Sequence, residues 1–160
     1  MAKKEEKTNV MRTLEQKKIP YTAHVYPADG PLDGVSVAAY LGQDPEQVFK
    51  TLVTKAAGGA YYVFDIPAAE NLDLKKAAKA VGEKSIAMLP QKELLPLTGY
   101  VHGGCSPVGM KKQFPTVFHE TAELFDTICV SAGRIGLQVE VSPAELIALL
   151  GASTADVTVE

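Results

Sequence analysis

The chain has no tryptophan, and aromatic residues make up only 7% of its 160 positions. That scarcity excludes a broad base-stacking platform, which lays successive bases on aromatic rings. Positive charge is not in surplus either: 16 Lys and Arg stand against 19 Asp and Glu, a formal net charge of −3. Coating nucleic acid through bulk electrostatics needs the opposite balance. Recognition of one end of an RNA by a few local lysines stays open. Only two cysteines occur, Cys105 and Cys129, with no CxxC pair and no histidine spacing that completes a zinc signature. Two cysteines make no disulfide framework, so reduced thiols in a cytoplasmic protein are expected, with no metal site. No apolar run approaches the roughly 20 residues of a membrane span. The start, Met-Ala-Lys-Lys-Glu-Glu-Lys, has no apolar stretch behind it, so no signal peptide is expected.

What is present suits one globular domain over residues 1–160, with residues 1–7 expected to be flexible. The chain is 46% hydrophobic and 22% charged, enough to bury a core. Asn9 to Lys18 reads as a helix capped by Thr8 or Asn9, and Tyr21 to Tyr26 as a strand. Pro27 to Gly34 is a loop long enough to cover a site. Ser36 is read as the cap of a short helix that Gly42 stops. Asp44-Pro45-Glu46-Gln47 reads as a further helix start. Val48 to Thr54 and Tyr61 to Ile66 form a hairpin around Gly58-Gly59. Asp73 caps a helix over Leu74 to Val81, Ser85 to Leu89 is a strand, and Gln91 to Leu95 is a helical turn that Pro96 ends. Strands follow at Thr116 to His119, Thr127 to Ser131 and Leu137 to Val141. In the last, Leu137, Val139 and Val141 are read as inward and Gln138 and Glu140 as outward. Ser142-Pro143-Ala144-Glu145 opens a last helix, and Asp156 to Val159 is an edge strand. Hairpins mixed with helical crossovers predict an α/β fold of α+β type: a mixed, partly barrel-like sheet flanked by short helices.

Several stretches bear on chemistry. Lys50 lies in an apolar strand with no Asp or Glu inside it, so it either faces water or is held inside for a purpose. Gly103-Gly104-Cys105-Ser106-Pro107-Val108-Gly109 is either a tight turn or a nest of amides that can approach an anion closely. No GKS or GKT ending follows it, so it is not a nucleotide phosphate loop. Ser131-Ala132-Gly133-Arg134-Ile135-Gly136 is a small-residue turn between strands. Cys105 and His102 have the residue types of a nucleophile and its base, but nothing in the sequence depresses the thiol pKa or orients the imidazole. Cys129, between Ile128 and Val130, reads as a core residue. The pairs Lys75-Lys76 and Lys111-Lys112 are either solvated patches or phosphate contacts, which give affinity without sequence information.

Five blocks occur in a specific order: Val48-Phe49-Lys50-Thr51-Leu52-Val53, Leu72-Asp73-Leu74-Lys75-Lys76-Ala77-Ala78, Thr98-Gly99-Tyr100, Gly103 through Lys112, and Ser131 through Gly136. Together they resemble the YbaK/EbsC aminoacyl-tRNA deacylases, relatives of the editing domain of bacterial prolyl-tRNA synthetases. The resemblance runs from about Thr8 to the C-terminus. It implies removal of cysteine from mischarged Cys-tRNA(Pro), possible also for Cys-tRNA(Cys), with a small amino acid such as alanine as the alternative substrate. A module that binds aminoacyl-tRNA or a synthetase without chemistry is the rival reading. The resemblance implies that Lys50 is the central functional residue. It places Tyr21, Gly103, Gly104, Cys105, Ser131 and Gly133 at the substrate, with Lys75, Lys76, Lys111 and Lys112 available for tRNA phosphates. It implies no cofactor, no metal, the acceptor end of an aminoacyl-tRNA as ligand and prolyl-tRNA synthetase as partner. It also implies that the substrate thiol, rather than a protein nucleophile, attacks the ester.

Overall fold

The computed structural model describes residues 7–30 and 33–160. Of the segment expected to be flexible, only Lys7 is described, its ammonium 2.8 Å from Glu15. Residues 1–6 and positions 31 and 32 of the Pro27–Gly34 loop lie outside the described residues.

Among the described residues, eight strands and five α-helices form an α+β fold with two sheets, neither closed. The strands are β1 (Tyr21–Val25), β2 (Phe49–Ala56), β3 (Tyr61–Pro67), β4 (Ile86–Met88), β5 (Thr116–His119), β6 (Ile128–Arg134), β7 (Leu137–Val141) and β8 (Ser153–Ala155). The helices are α1 (Asn9–Gln16), α2 (Gly34–Leu41), α3 (Leu74–Ala80), α4 (Gln91–Thr98) and α5 (Pro143–Leu150). The larger sheet has the order β4-β2-β3-β5-β8. Its β4-β2-β3 part is antiparallel, while β5 and β8 join parallel, so the sheet is mixed. The smaller, β1-β7-β6, is antiparallel.

The partial barrel arises because the sheets touch at one rung and then part. Val48 bridges Cys129, and the Cys129 amide donates to the Gln47 carbonyl at 3.0 Å. Beyond that bridge β6 departs from β2, and β4 pairs with β2 only from Thr54 onward. Between those points Lys50 to Leu52 pair with β3 on one side only. This split opens the cavity described below. The main core fills the space enclosed by the sheets, with Val10 and Leu14 of α1, Val63, Phe118, Val139 and Leu146 fully buried. A second cluster, with Phe64, Ile66, Ala77 and Val157, packs α3 on the other face of the larger sheet.

Several boundaries differ from the sequence reading. Asp33, not Ser36, caps α2: its carboxylate accepts from the Ser36 amide at 2.9 Å, so Ser36 already lies in the first turn. Asp44 to Gln47 forms a turn and no helix, because the Gln47 side-chain amide is drawn to the Thr127 carbonyl at 2.8 Å. Pro96 sits inside α4, which ends at the left-handed Gly99 (φ 88°). The residue four before it, Lys92, is in the first turn, so the ring disturbs only the weakly constrained helix start. The C-terminal strand is Ser153–Ala155 rather than Asp156 to Val159; beyond it Thr158 makes one bridge to Leu72. A 3-10 turn at Glu120–Leu124 has no counterpart in the reading.

Candidate functional site

Where β2 and β6 diverge they leave a half-open cavity of about 160 Å³. A hollow this small and open on one side suits a small group such as an aminoacyl moiety, with the rest of a larger molecule outside it. The β2 wall is Lys50, Thr51 and Leu52, and the glycine-rich loop adds His102, Gly103 and Cys105. Val130 and Ser131 of β6, Gln138 of β7 and Tyr26 also line it. The structure thus brings Lys50, Gly103, Cys105 and Ser131 to one space.

Lys50 is half-buried and makes no ion pair or hydrogen bond among the described residues. Burial pulls its pKa down from 10.5, and the more distant carboxylates of Glu70 and Asp33 partly oppose that. It therefore presents an ammonium with unfilled donor capacity to whatever enters. Ser131 Oγ accepts from the Gly133 amide at 3.2 Å, which orients the hydroxyl at the bulge in β6. The Gln138 side chain accepts from Gln43 Nε2 at 2.7 Å and is only 4% exposed.

Gly104 and Gly133 support the wall from behind. A methyl on Gly104 would stand 3.0 Å from the Ile135 nitrogen and 3.1 Å from Arg134 backbone atoms, so the missing Cβ lets the loop seat on the β6–β7 turn. Gly133 (φ 99°) turns toward Tyr100 and Val10, which a Cβ would meet at 3.1 and 3.2 Å. The Tyr100 hydroxyl in turn donates to the Val108 carbonyl at 2.5 Å, tying the loop to the core.

Tyr21 stands apart from the cavity lining. It pairs with Val141 at the far end of β7, and its hydroxyl donates to Glu15 at 2.5 Å on the outside of α1. The strands are antiparallel, so the other end of β1 lies beside Gln138, and Tyr26 just beyond that end lines the cavity together with Phe49. Gln138 also differs from the reading, since alternation made it outward. Its register partner is Ser131, set by the bulge between Ser131 and Arg134 that no count from the turn would reveal, and its face of β7 is buried because Gln43 and the cavity wall cover it. Thr51, also missed, lines the wall and donates to Asp65 at 2.5 Å.

The lysine pairs divide. Lys76 is engaged with Asp156 at 3.0 Å and the Thr158 carbonyl at 2.9 Å, fastening the C-terminal segment to α3. Lys111 reaches the Pro96 carbonyl at 3.3 Å. Lys75 and Lys112 are exposed.

Burial pushes the Cys105 thiol up to about 12, so it is protonated at neutral pH and a poor nucleophile. His24, Cys129 and Glu140 come close enough to share a metal ion. However, His24 and Glu140 bond each other at 2.8 Å, Thr127 donates to Glu140 at 2.5 Å, and burial pushes Cys129 up to about 12. The group is a hydrogen-bonded network with a neutral thiol beside it. A larger hollow, about 490 Å³, lies at the start of α5 but presents Glu123 and Asp126 and no cation, which suits no phosphate ester.

The two-sheet α+β fold thus carries one small open cavity bordered by Lys50, Thr51, Ser131 and the glycine loop. The chain belongs to the aminoacyl-tRNA editing domain family, whose family model matches residues 33–149. It is 45% identical over 161 residues to a protein of Enterococcus faecalis (strain ATCC 700802 / V583), covering 99% of this chain and 98% of that one. That protein carries the provisional name Cys-tRNA(Pro)/Cys-tRNA(Cys) deacylase EbsC. A solved structure described in provisional terms as a trans-editing enzyme for prolyl-tRNA synthetase is similar at a TM-score of 0.82 and 26% identity. The match covers 97% of this chain and 100% of that one. The hypothetical protein APE2540 shares the fold at a TM-score of 0.86 and 24% identity, over 94% and 99% of the two chains. No described helix is long and apolar enough to cross a membrane.

Proposed function

We propose that this protein is a trans-editing deacylase that removes cysteine from mischarged Cys-tRNA(Pro), with Cys-tRNA(Cys) as a second substrate. The observation that carries the reading is Lys50: a half-buried ammonium without a partner among the described residues, on the wall of a cavity sized for an aminoacyl group. The 45% identity to a protein named for this activity supports the same substrate.

An aminoacyl ester is already activated, so the protein's task is to orient it and stabilise oxyanion charge. Lys50 would hold the terminal nucleotide or the ester, with Gly103 and the Ser131 hydroxyl bordering the same space. The substrate thiol attacks its own ester carbonyl; the new S–C bond forms as the ester C–O bond breaks, and the 3′-oxygen of the terminal adenosine leaves with a proton. No protein nucleophile is needed, consistent with the neutral Cys105. With a net charge of −3, the chain would grip only the acceptor end, through exposed lysines such as Lys75 and Lys112. Docking on prolyl-tRNA synthetase would supply the remaining affinity by raising effective concentration.

The test is release of labelled amino acid from Cys-tRNA(Pro) and Ala-tRNA(Pro) in parallel, with and without the synthetase. Cysteine released faster than alanine, and faster still with synthetase, is the expected result. Alanine released faster would move the protein to another editing specificity. Retarded spontaneous loss of both would make it a binding module without chemistry.

A further inference from the structure

Asp65 lies behind the cavity wall and is fully buried. It sits on β3, with Thr51 opposite on β2 and Phe118 opposite on β5, so it faces the main core beside apolar side chains. One carboxyl oxygen, Oδ1, accepts from the Thr51 hydroxyl at 2.5 Å. The other, Oδ2, has no hydrogen-bond partner among the described residues. A half-satisfied buried carboxyl is destabilising, and a valine or leucine would fill the same position without that penalty. Thr51, the one group it binds, lines the cavity.

We propose that Asp65 is a positioning residue for the editing reaction: it holds the Thr51 hydroxyl proton behind the wall, so that Thr51 turns its lone pairs toward the bound aminoacyl group. The inference rests on reading this cavity as the aminoacyl site. A hydroxyl has one proton and two acceptor positions. While the proton is committed to the carboxylate, Thr51 can only accept from the substrate, which suits the aminoacyl group's α-ammonium or thiol. When the carboxyl is protonated, it can donate to Thr51 instead, and the hydroxyl proton swings into the cavity. Thr51 then repels the donors it had attracted.

Asp65 is placed to make this change near neutrality. Burial raises it to about 7, and the Thr51 hydrogen bond opposes that rise. Few titratable groups surround it. The Cys105 thiol of the glycine loop is the one close enough for its own pKa to feel Asp65, with the Tyr100 phenol beyond it. On β2, Lys50 and Leu52 alternate to the face opposite Thr51, and on β5, His119 alternates away from Phe118. No cation among the described residues lies against the carboxyl.

The test compares cysteine release by wild type, Asp65→Asn, Thr51→Val and the double variant across pH. Taking the ratio of wild type to Asp65→Asn cancels the ionisations of the substrate itself. The ratio is expected to lie within about twofold of unity at pH 5.5 and to rise through pH 7 to about tenfold at pH 8.5, since hydrogen bonds to charged groups are the strong ones. In the Thr51→Val background, Asp65→Asn should have no further effect. A flat ratio, or an equal loss in both backgrounds, overturns the proposal. Carboxyl ¹³C NMR of wild type and Thr51→Val reads the pair without catalysis or folding of the Asp65 variants. Asp65 should titrate near 7 and shift upward when the hydroxyl is removed. Titration near 4, or no shift, also overturns the proposal. A wild type that releases no amino acid but shows the expected titration rejects the aminoacyl reading itself, and the positioning role of Asp65 with it.

Discussion

Replacing Gly104 by alanine tests whether the glycine loop is held against the β6–β7 turn by backbone contact. The added methyl would lie 3.0 Å from the Ile135 nitrogen and 3.1 Å from the carbonyl carbon and Cα of Arg134. All three atoms are backbone within a bulged hairpin end, so no flexible side chain can swing away. The loop must lift by several tenths of an ångström, and Gly103 and Cys105, which line the cavity, move with it. Overpacking of this kind costs about 1–3 kcal/mol, which for a chain of this size lowers Tm by roughly 2–12 °C. Misplacing one wall of the site is expected to lower kcat/KM by about ten- to a hundredfold. The control is Gly58→Ala in the β2–β3 turn, where a Cβ meets nothing within 4 Å; its stability should stay within about 0.5 kcal/mol of wild type. Thermal unfolding and single-turnover deacylation read the two effects. If Gly104→Ala matches Gly58→Ala in both, the close approach has no bearing on the site.

Three further outcomes follow from the same geometry. Cys105→Ser should keep deacylation within about threefold of wild type, because a thiol held near 12 supplies no thiolate; a hundredfold loss would reinstate a thiol enzyme. Tyr21→Phe should leave deacylation unchanged and lose only the exposed bond to Glu15, whereas Tyr26→Ala, which removes part of the cavity lining, should raise KM; the reverse pattern would return Tyr21 to the site. Folding stability should fall as pH rises from about 4 to 7. Asp65 is raised from 3.8 to about 7, so the folded state binds the proton more tightly, and the stability this brings is full below 3.8 and lost through 7. Urea unfolding at pH 5 and 8 should show a decline in wild type that Asp65→Asn flattens; an equal decline in both would remove Asp65 as its source.

The sequence carried much of the fold because local chemistry and tertiary structure agree at most positions. Asp73 before Leu74, Ser142-Pro143 before α5 and the glycines after α2 and α5 all act as their types suggest. Disagreement appears where a distant partner decides. Gln47 leaves its helix-start pattern for Thr127, 80 positions away, and Gln138, on the face of β7 away from Leu137 and Val139, is covered there by Gln43, 95 positions away. At the cavity, Lys50 stood out as an unpaired charge in an apolar strand. That the glycine loop and Ser131 face it follows from the split between the sheets, which no spacing encodes. Tyr21 and Tyr26 were separable only through strand direction, since both are tyrosines flanking one short strand. Asp65 was hidden inside a strand-like run, where burial of an acid reads as nothing until the packing is seen.

The most direct measurement is single-turnover release of labelled cysteine from Cys-tRNA(Pro) by wild type and Lys50→Ala, with Tm recorded for both. Removing a positioned cation from a developing oxyanion should slow release by about a hundredfold or more. Lys50 has no ion pair to lose among the described residues, so the fold should remain intact. Release by Lys50→Ala at the wild-type rate would contradict the account at its centre.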